Sequence, residues 1–177
     1  MDPLITADMV GLRSLESPDF PYLHKWFNAP RVRESMGARR CPDFVSMEEE
    51  RRIVEGKLRD PEQMNFIIHH LRRNAPVGIA SLVNMNRRTA SAELQLVVGE
   101  ADLWGQGICQ ETVRLLLDHA FQVHNLHRVH LRVAERDRGA VSCYRRCGFV
   151  EEGRARHDHF SGGEWRDSLL MSVIRGD

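Results

Sequence analysis

The sequence predicts an α/β (α+β) fold: one domain, residues 1–177, in which a mixed sheet carries helices on its faces. Three observations carry that reading. An apolar strand at Ala92 to Val98 runs through a glycine-containing turn into a helix and then into a second strand at Val129 to Val133. Such a strand–helix–strand unit pairs its strands in parallel through a crossover. On either side of it, β-rich runs follow one another closely enough for hairpins. The 177 residues, 42% of them hydrophobic, suffice for one core and contain no linker, repeat or low-complexity tract.

In chain order, Met9 to Leu15 alternates as a first strand. Ser17-Pro18-Asp19 starts a helix, with Pro tolerated in the first turn; that helix carries Phe20, Leu23, Trp26 and Phe27 and stops near Asn28-Ala29-Pro30. Arg31 to Phe44 reads as a polar, irregular connection. Ser46 and Glu49 form a capping box for a helix through about Leu58. Its acidic triplet Glu48-Glu49-Glu50 supports the helix dipole and reads as a solvated face. Asn65 to Leu71 and Val77 to Val83 form a hairpin, and Asn84 to Thr89 is a polar turn into the Ala92 strand. After the glycine turn, Cys109, Val113, Leu116, Leu117 and Ala120 recur at helical spacing as far as His124-Asn125. Arg138 to Cys147 is helical, with Gly148 where a C-terminal glycine cap belongs. Phe149 to Phe160 and Trp165 to Ile174 close the fold as a hairpin over Ser161-Gly162-Gly163-Glu164.

Composition excludes several functions. Basic and acidic residues balance at 25 each, so no global field attracts nucleic acid or an anionic membrane. No apolar run reaches transmembrane length, and no secretory pattern opens the chain. Cys41, Cys109, Cys143 and Cys147 show neither a CxxC nor a zinc spacing, so a cytoplasmic protein with reduced thiols is expected. His69-His70 and His157-x-His159 have no carboxylate or third histidine at ligand spacing, and no metal is expected.

The chemistry concentrates after Glu93-Leu94-Gln95-Leu96-Val97-Val98, in Trp104-Gly105-Gln106-Gly107-Ile108-Cys109-Gln110. Glycines let the backbone bend and let a ligand approach it, and the first amides of the following helix lack intrahelical partners at the positive end of its dipole. Such an end binds phosphate. Gly-x-Gly alone also suits an ordinary packed turn, and it matches neither a dinucleotide fingerprint nor a P-loop.

The segment resembles the acyl-CoA motif of the GNAT N-acetyltransferase superfamily, Arg/Gln-x-x-Gly-x-Gly/Ala. The central glycine falls on Gly107, while Trp104 and Cys109 depart from the pattern at its ends. Tyr144-Arg145-Arg146-Cys147-Gly148-Phe149-Val150-Glu151-Glu152-Gly153 is similar to the family's Tyr-x-x-x-Gly-Phe-x-x-x-Gly signature. Seven residues before Tyr144 the family has Asn, and this chain has Asp137. Ala92-Glu93 and Gly163 to Asp167 place the resemblance nearest the branch of ribosomal-protein and spermidine/spermine N-acetyltransferases.

The resemblance implies a mostly antiparallel sheet splayed at its centre, acetyl-CoA as co-substrate and a homodimer. The pantetheine arm would pair with Leu96, Val97 and Val98. The pyrophosphate would sit on the turn from Trp104 and Gly105 to Gln110, mainly on the amides of Gln106, Gly107, Ile108 and Cys109. Arg138, Arg145 or Arg146 would meet the 3′-phosphate, and Asp137, able only to accept when ionised, would need a donor. An alkylamine has a pKa of roughly 10, so the acceptor must lose a proton, and Glu93 is the base expected to take it. Tyr144 would protonate the leaving thiolate, and an amide at Val97 or Val98 would stabilise the oxyanion. The acceptor would be a small-molecule amine, polyamine-like or antibiotic-like, or a peptide N-terminus, with Glu34 and Glu48 to Glu50 favouring a polyamine. Its pocket would form from Tyr22 to Glu34, the N-terminal helices and the closing hairpin. A non-catalytic acyl-CoA-binding protein, or a different acyl donor on the same fold, is the alternative.

Overall fold

Alternation of side chains places eight strands in the computed structural model, which describes residues 3–36 and 45–177. They are Ile5–Thr6 (β1), Val10–Ser14 (β2), Met64–His70 (β3), Ala75–Asn86 (β4), Ser91–Val98 (β5), Arg128–Ala134 (β6), Val150–Ser161 (β7) and Glu164–Ile174 (β8). Their order is β1-β2-β3-β4-β5-β6-β8-β7. Only β5 and β6 pair in parallel; the remaining neighbours are antiparallel.

The helices are Phe20–Asn28 (α1), Pro30–Met36 (α2), Met47–Arg59 (α3), Ile108–Asp118 (α4) and Arg138–Arg146 (α5). They lie on both faces of the sheet because each strand of the middle sends alternate side chains to opposite sides. Leu94 of β5 and Val129, Leu131 and Val133 of β6 enter one core with α4 and α5. On the other face Ile67, with Ile79 and Val97 against it, packs on Phe20, Leu23, Trp26 and Phe27 of α1 and Val54 of α3. Each fully buried Leu or Ile contributes about 1.5–3 kcal/mol, so both helical layers are held to the sheet independently.

Several expectations need correction. A short β1 precedes the first strand. The segment read as irregular from Arg31 begins as a helix, α2; residues 37–44, including Cys41, lie outside the described residues. Ala29 adopts φ −70°, ψ 124°, the extended conformation favoured before proline. Pro30 therefore ends α1 and also opens α2, where a missing N–H costs nothing. β4 runs on to Asn86, into the stretch expected to turn. Ser46 accepts a hydrogen bond from the Glu49 amide, as the capping box requires, but Glu50 is fully buried rather than solvated.

The parallel ladder is short. Ser91 pairs with Arg128, Ala92 with Val129 and Glu93 with His130, and there it stops. β5 then follows β4 up to the pair Gly78–Val98, whereas β6 follows β8 up to Ala134–Ser168. The two strands part, and a gap opens in the middle of the sheet.

Candidate active site

A cavity of about 950 Å³ fills that gap. Leu96, Val98, Ile108, Cys109 and Tyr144 line it towards α4 and α5, and Glu50, Val54, Glu93, His130 and Arg132 line it towards α1 and α3. It therefore reaches both faces of the sheet through the splay.

On the α4 side, the backbone of β5 is one wall. The Gly99 amide donates to the Val77 carbonyl at 2.8 Å. Successive residues of an antiparallel strand turn their backbone groups to opposite sides, so Val97 faces β4 while Leu96 and Val98 face the gap. The expected three-residue edge thus offers backbone groups from two residues. Trp104 holds one of these: its Nε1–H donates to the Val98 carbonyl at 2.8 Å, and the Arg31 guanidinium lies over its ring at 5.3 Å. Aromatic and cation together tie α2 to the glycine turn.

That turn has the required conformation. Gly105 and Gly107 have φ of 78° and 91°, left-handed values that L side chains rarely adopt. Gly107 caps α4, leaving the Ile108, Cys109 and Gln110 amides without a helical carbonyl to bond. The Gln106 amide is already used, donating to the Leu103 carbonyl at 3.3 Å. Glu111 anchors the arrangement: its Oε2 accepts from the Met9 and Val10 amides at 2.9 and 3.2 Å.

Asp137 caps α5, its Oδ1 accepting from the Ala140 amide at 2.9 Å, and its carboxylate borders the cavity. Arg146 is exposed and also borders it, whereas Arg138 lies with Arg145 at a smaller surface pocket. Arg145 pairs with Glu151 at 3.1 Å. Cys109 and Cys143 line the donor half. A hydrogen bond to Cys109 and burial push the Cys143 thiol up to about 12, against the effect of Cys147; Cys147 is pushed up by its bond to Cys143 and by burial. Both shifts favour the neutral thiol at Cys143 and Cys147.

Tyr144 is buried beside Phe149, ring centroids 5.6 Å apart, and lines the cavity. Glu93 lines it from the other face, its Oε2 accepting from Asn84 at 3.1 Å and its Oε1 from Gln95 at 3.3 Å. The same cavity is lined by Glu50, one of the acidic residues noted in the sequence, and by Arg128, Arg132, Glu152 and Asp158, which sequence reasoning did not single out. Arg128 holds Glu152 at 2.6 Å and keeps its carboxyl down at about 2. Arg132 holds Asp158 at 2.6 Å. A bulge between Ala155 and His159 delivers Asp158, with His157 at φ 49° and its amide on Asp167. Glu50 comes from α3, where Glu50, Ile53, Val54 and Lys57 share the cavity face. Their i, i+3, i+4, i+7 spacing was the available signal. Glu34 is exposed, and the cavity is lined instead by its neighbours Ser35 and Met36. Among the described residues no cluster of three His, Cys, Asp or Glu stands ready for a metal, and no helix is long and apolar enough to cross a membrane.

A sheet splayed beside a glycine turn that starts a helix, with a tyrosine on the next helix, defines an acyl-CoA N-acyltransferase. The chain belongs to the GNAT acetyltransferase family, whose domain model matches residues 10–150. It is an N-acetyltransferase with acetyl-CoA as its donor. Spermidine N(1)-acetyltransferase of Vibrio cholerae serotype O1 is 28% identical over 93% of this chain and 92% of its own. The Escherichia coli K12 spermidine N(1)-acetyltransferase is 26% identical over 96% and 88%. The crystal structure of spermidine N-acetyltransferase from Vibrio cholerae in complex with CoA and spermine has a TM-score of 0.86 at 26% identity, covering 94% of this chain and 96% of that one. The donor half suits CoA: unbonded helix amides, glycines at positive φ and a strand edge facing an open gap all meet there.

Proposed function

We propose that the acceptor is an aliphatic polyamine of the spermidine or spermine class, acetylated directly in a ternary complex. The observation that carries the reading is the likeness, along nearly the whole chain, to a polyamine acetyltransferase whose structure holds CoA and spermine. Carboxylates on the acceptor side of the gap, Glu50 and Glu93, support it, since they complement a cationic chain.

Acetyl-CoA supplies a thioester acetyl group. The Leu96 and Val98 backbone and the amides of Gly107, Ile108 and Cys109 orient it, with Arg146 at the cavity rim for a phosphate. Glu93 takes a proton from the acceptor ammonium at a carboxylate oxygen, freeing the nitrogen lone pair. The Val98 N–H, facing the gap, is the donor for negative charge growing on the carbonyl oxygen. Tyr144 Oη gives its proton to the departing sulfur. Phe149 packs against the Tyr144 ring and holds it at the cavity wall.

A thiol-release assay with acetyl-CoA tests the acceptor against spermidine, spermine, aminoglycosides, free amino acids and peptides beginning with Ala or Ser. Turnover is expected with the polyamines. Turnover of peptides with polyamines inert would overturn the reading and leave the enzyme class intact.

A further inference from the structure

Proton balance sets a requirement that Glu93 and Tyr144 do not meet alone. A protonated amine and acetyl-CoA give the amide, the CoA thiol and one H⁺. Nitrogen loses two protons, sulfur regains one, and one must reach solvent in each turnover. A carboxylate that takes this proton must be emptied before the next cycle.

We infer that His130 empties it. The inference rests on the reading of Glu93 as base. Glu93 and His130 are Cα partners, the last pair of the β5–β6 ladder before the strands part. Partners on neighbouring strands project to the same face with backbones about 5 Å apart, and both residues line the cavity. His130 Nδ1 is buried and has no hydrogen-bond partner among the described residues. Buried ring nitrogens are normally satisfied, so this one stands ready for a proton or a bridging water.

The surroundings suit an imidazole that alternates between neutral and charged. Glu93 is its partner on β5, and Glu152, Asp158 and the buried His159 of β7, Arg128 and Arg132 of β6 and Glu50 and Lys57 of α3 line the same cavity. β8 contributes Ser172, which is neutral. Arg128 and Arg132 are each engaged by a carboxylate, so their repulsion of an imidazolium is reduced. Glu152 also feels the charge on His130. The step moves one proton: the Glu93 carboxylic acid and neutral imidazole become carboxylate and imidazolium, and the imidazolium then releases the proton to water.

The test compares His130→Gln and His130→Ala with the unaltered enzyme in kcat and KM from acid to alkaline pH, with melting temperatures alongside. In the unaltered enzyme kcat/KM should show a bend between acid and alkaline pH. His130→Gln should lower kcat about tenfold or more near neutrality, leave KM for acetyl-CoA unchanged and remove the bend. Added imidazole should restore turnover to His130→Ala. A normal kcat with an unmoved bend in His130→Gln overturns the relay, as does an equal loss at every pH without imidazole rescue. Glu93→Gln, run beside them, separates the two readings. If it alone is impaired, only the relay fails; if it turns over normally, the base assignment fails.

Discussion

Gly107→Ala perturbs the donor site where its backbone is most constrained. Gly107 caps α4 at φ 91° and ψ −9°, a left-handed conformation that costs an L residue about 1–2 kcal/mol. A Cβ there would meet Met9 Cε at 3.0 Å, the tip of a flexible side chain that can turn aside. For a chain of this size each kcal/mol lowers Tm by about 2–4 °C, so the ligand-free variant should melt about 2–8 °C lower. The larger effect should fall on CoA. Relief of strain rotates the amides of Gly107 and Ile108, and a hydrogen bond to a charged group contributes about 1.5–3 kcal/mol. Loss of one such bond weakens binding about 10–150-fold. Calorimetric titration with CoA measures this, and S-acetylpantetheine, which lacks the diphosphate and nucleotide, is the control substrate. Its kcat/KM should be the same in both proteins. A variant that melts lower yet binds CoA within about twofold of the original refutes the placement of the diphosphate on these amides. Equal losses with CoA and with the pantetheine substrate refute it too.

Three other perturbations probe separate parts of the molecule. Tyr144→Phe keeps the buried ring against Phe149, so Tm should fall by no more than one hydrogen bond's worth, about 2–4 °C. Stopped-time thiol release should meanwhile show kcat reduced about 10²-fold or more, with acetyl-CoA affinity unchanged. Gly99→Ala would set a Cβ 2.1 Å from Cγ of the fully buried Trp26; a rigid ring cannot yield, and thermal melting should register about 1–3 kcal/mol of destabilisation. Glu152 ionises at about 2 in the folded chain, below its usual 4.5, because of Arg128. Its stabilisation is therefore complete above about pH 5 and lost as pH falls towards 2. Tm measured against pH should be flatter across that window in Glu152→Gln, and offset by a constant amount above it.

The glycine turn before α4 was legible because backbone makes it. A turn that needs positive φ must spell itself with glycine, so Gly105 and Gly107 are visible in any reading, and so is Gly148 at φ 91° after α5. The strand before the turn is equally plain, since Leu94 must alternate with its neighbours to reach the core. Less visible was the use already made of some groups. Nothing in Trp104 as a letter says that its indole N–H holds the Val98 carbonyl, nor in Gln106 that its amide is bonded within the turn. α2 was missed because Ala29-Pro30 was read only as a stop, although the same proline is a good first residue of the next helix.

The acceptor half is written differently. His130, Glu152, Asp158 and Glu50 come from β6, β7 and α3, and only sheet register and helix packing bring them to one cavity. No local pattern marks such a set. Glu50 stood in the sequence both as part of a solvated acidic face and among the carboxylates favouring a polyamine. Its helical spacing with Ile53, Val54 and Lys57 is what separates it from Glu48 and Glu49 and brings it to the cavity. This asymmetry has a physical origin. A diphosphate and a pantetheine amide chain are recognised by backbone N–H and C=O groups, which any residue supplies but few conformations present. An amine is recognised by side-chain charge and shape, which any conformation can present from a suitable residue. Substitutions at Glu50, Arg132 or Asp158 should therefore shift acceptor preference while CoA affinity holds, and substitutions at Gly107 should do the reverse.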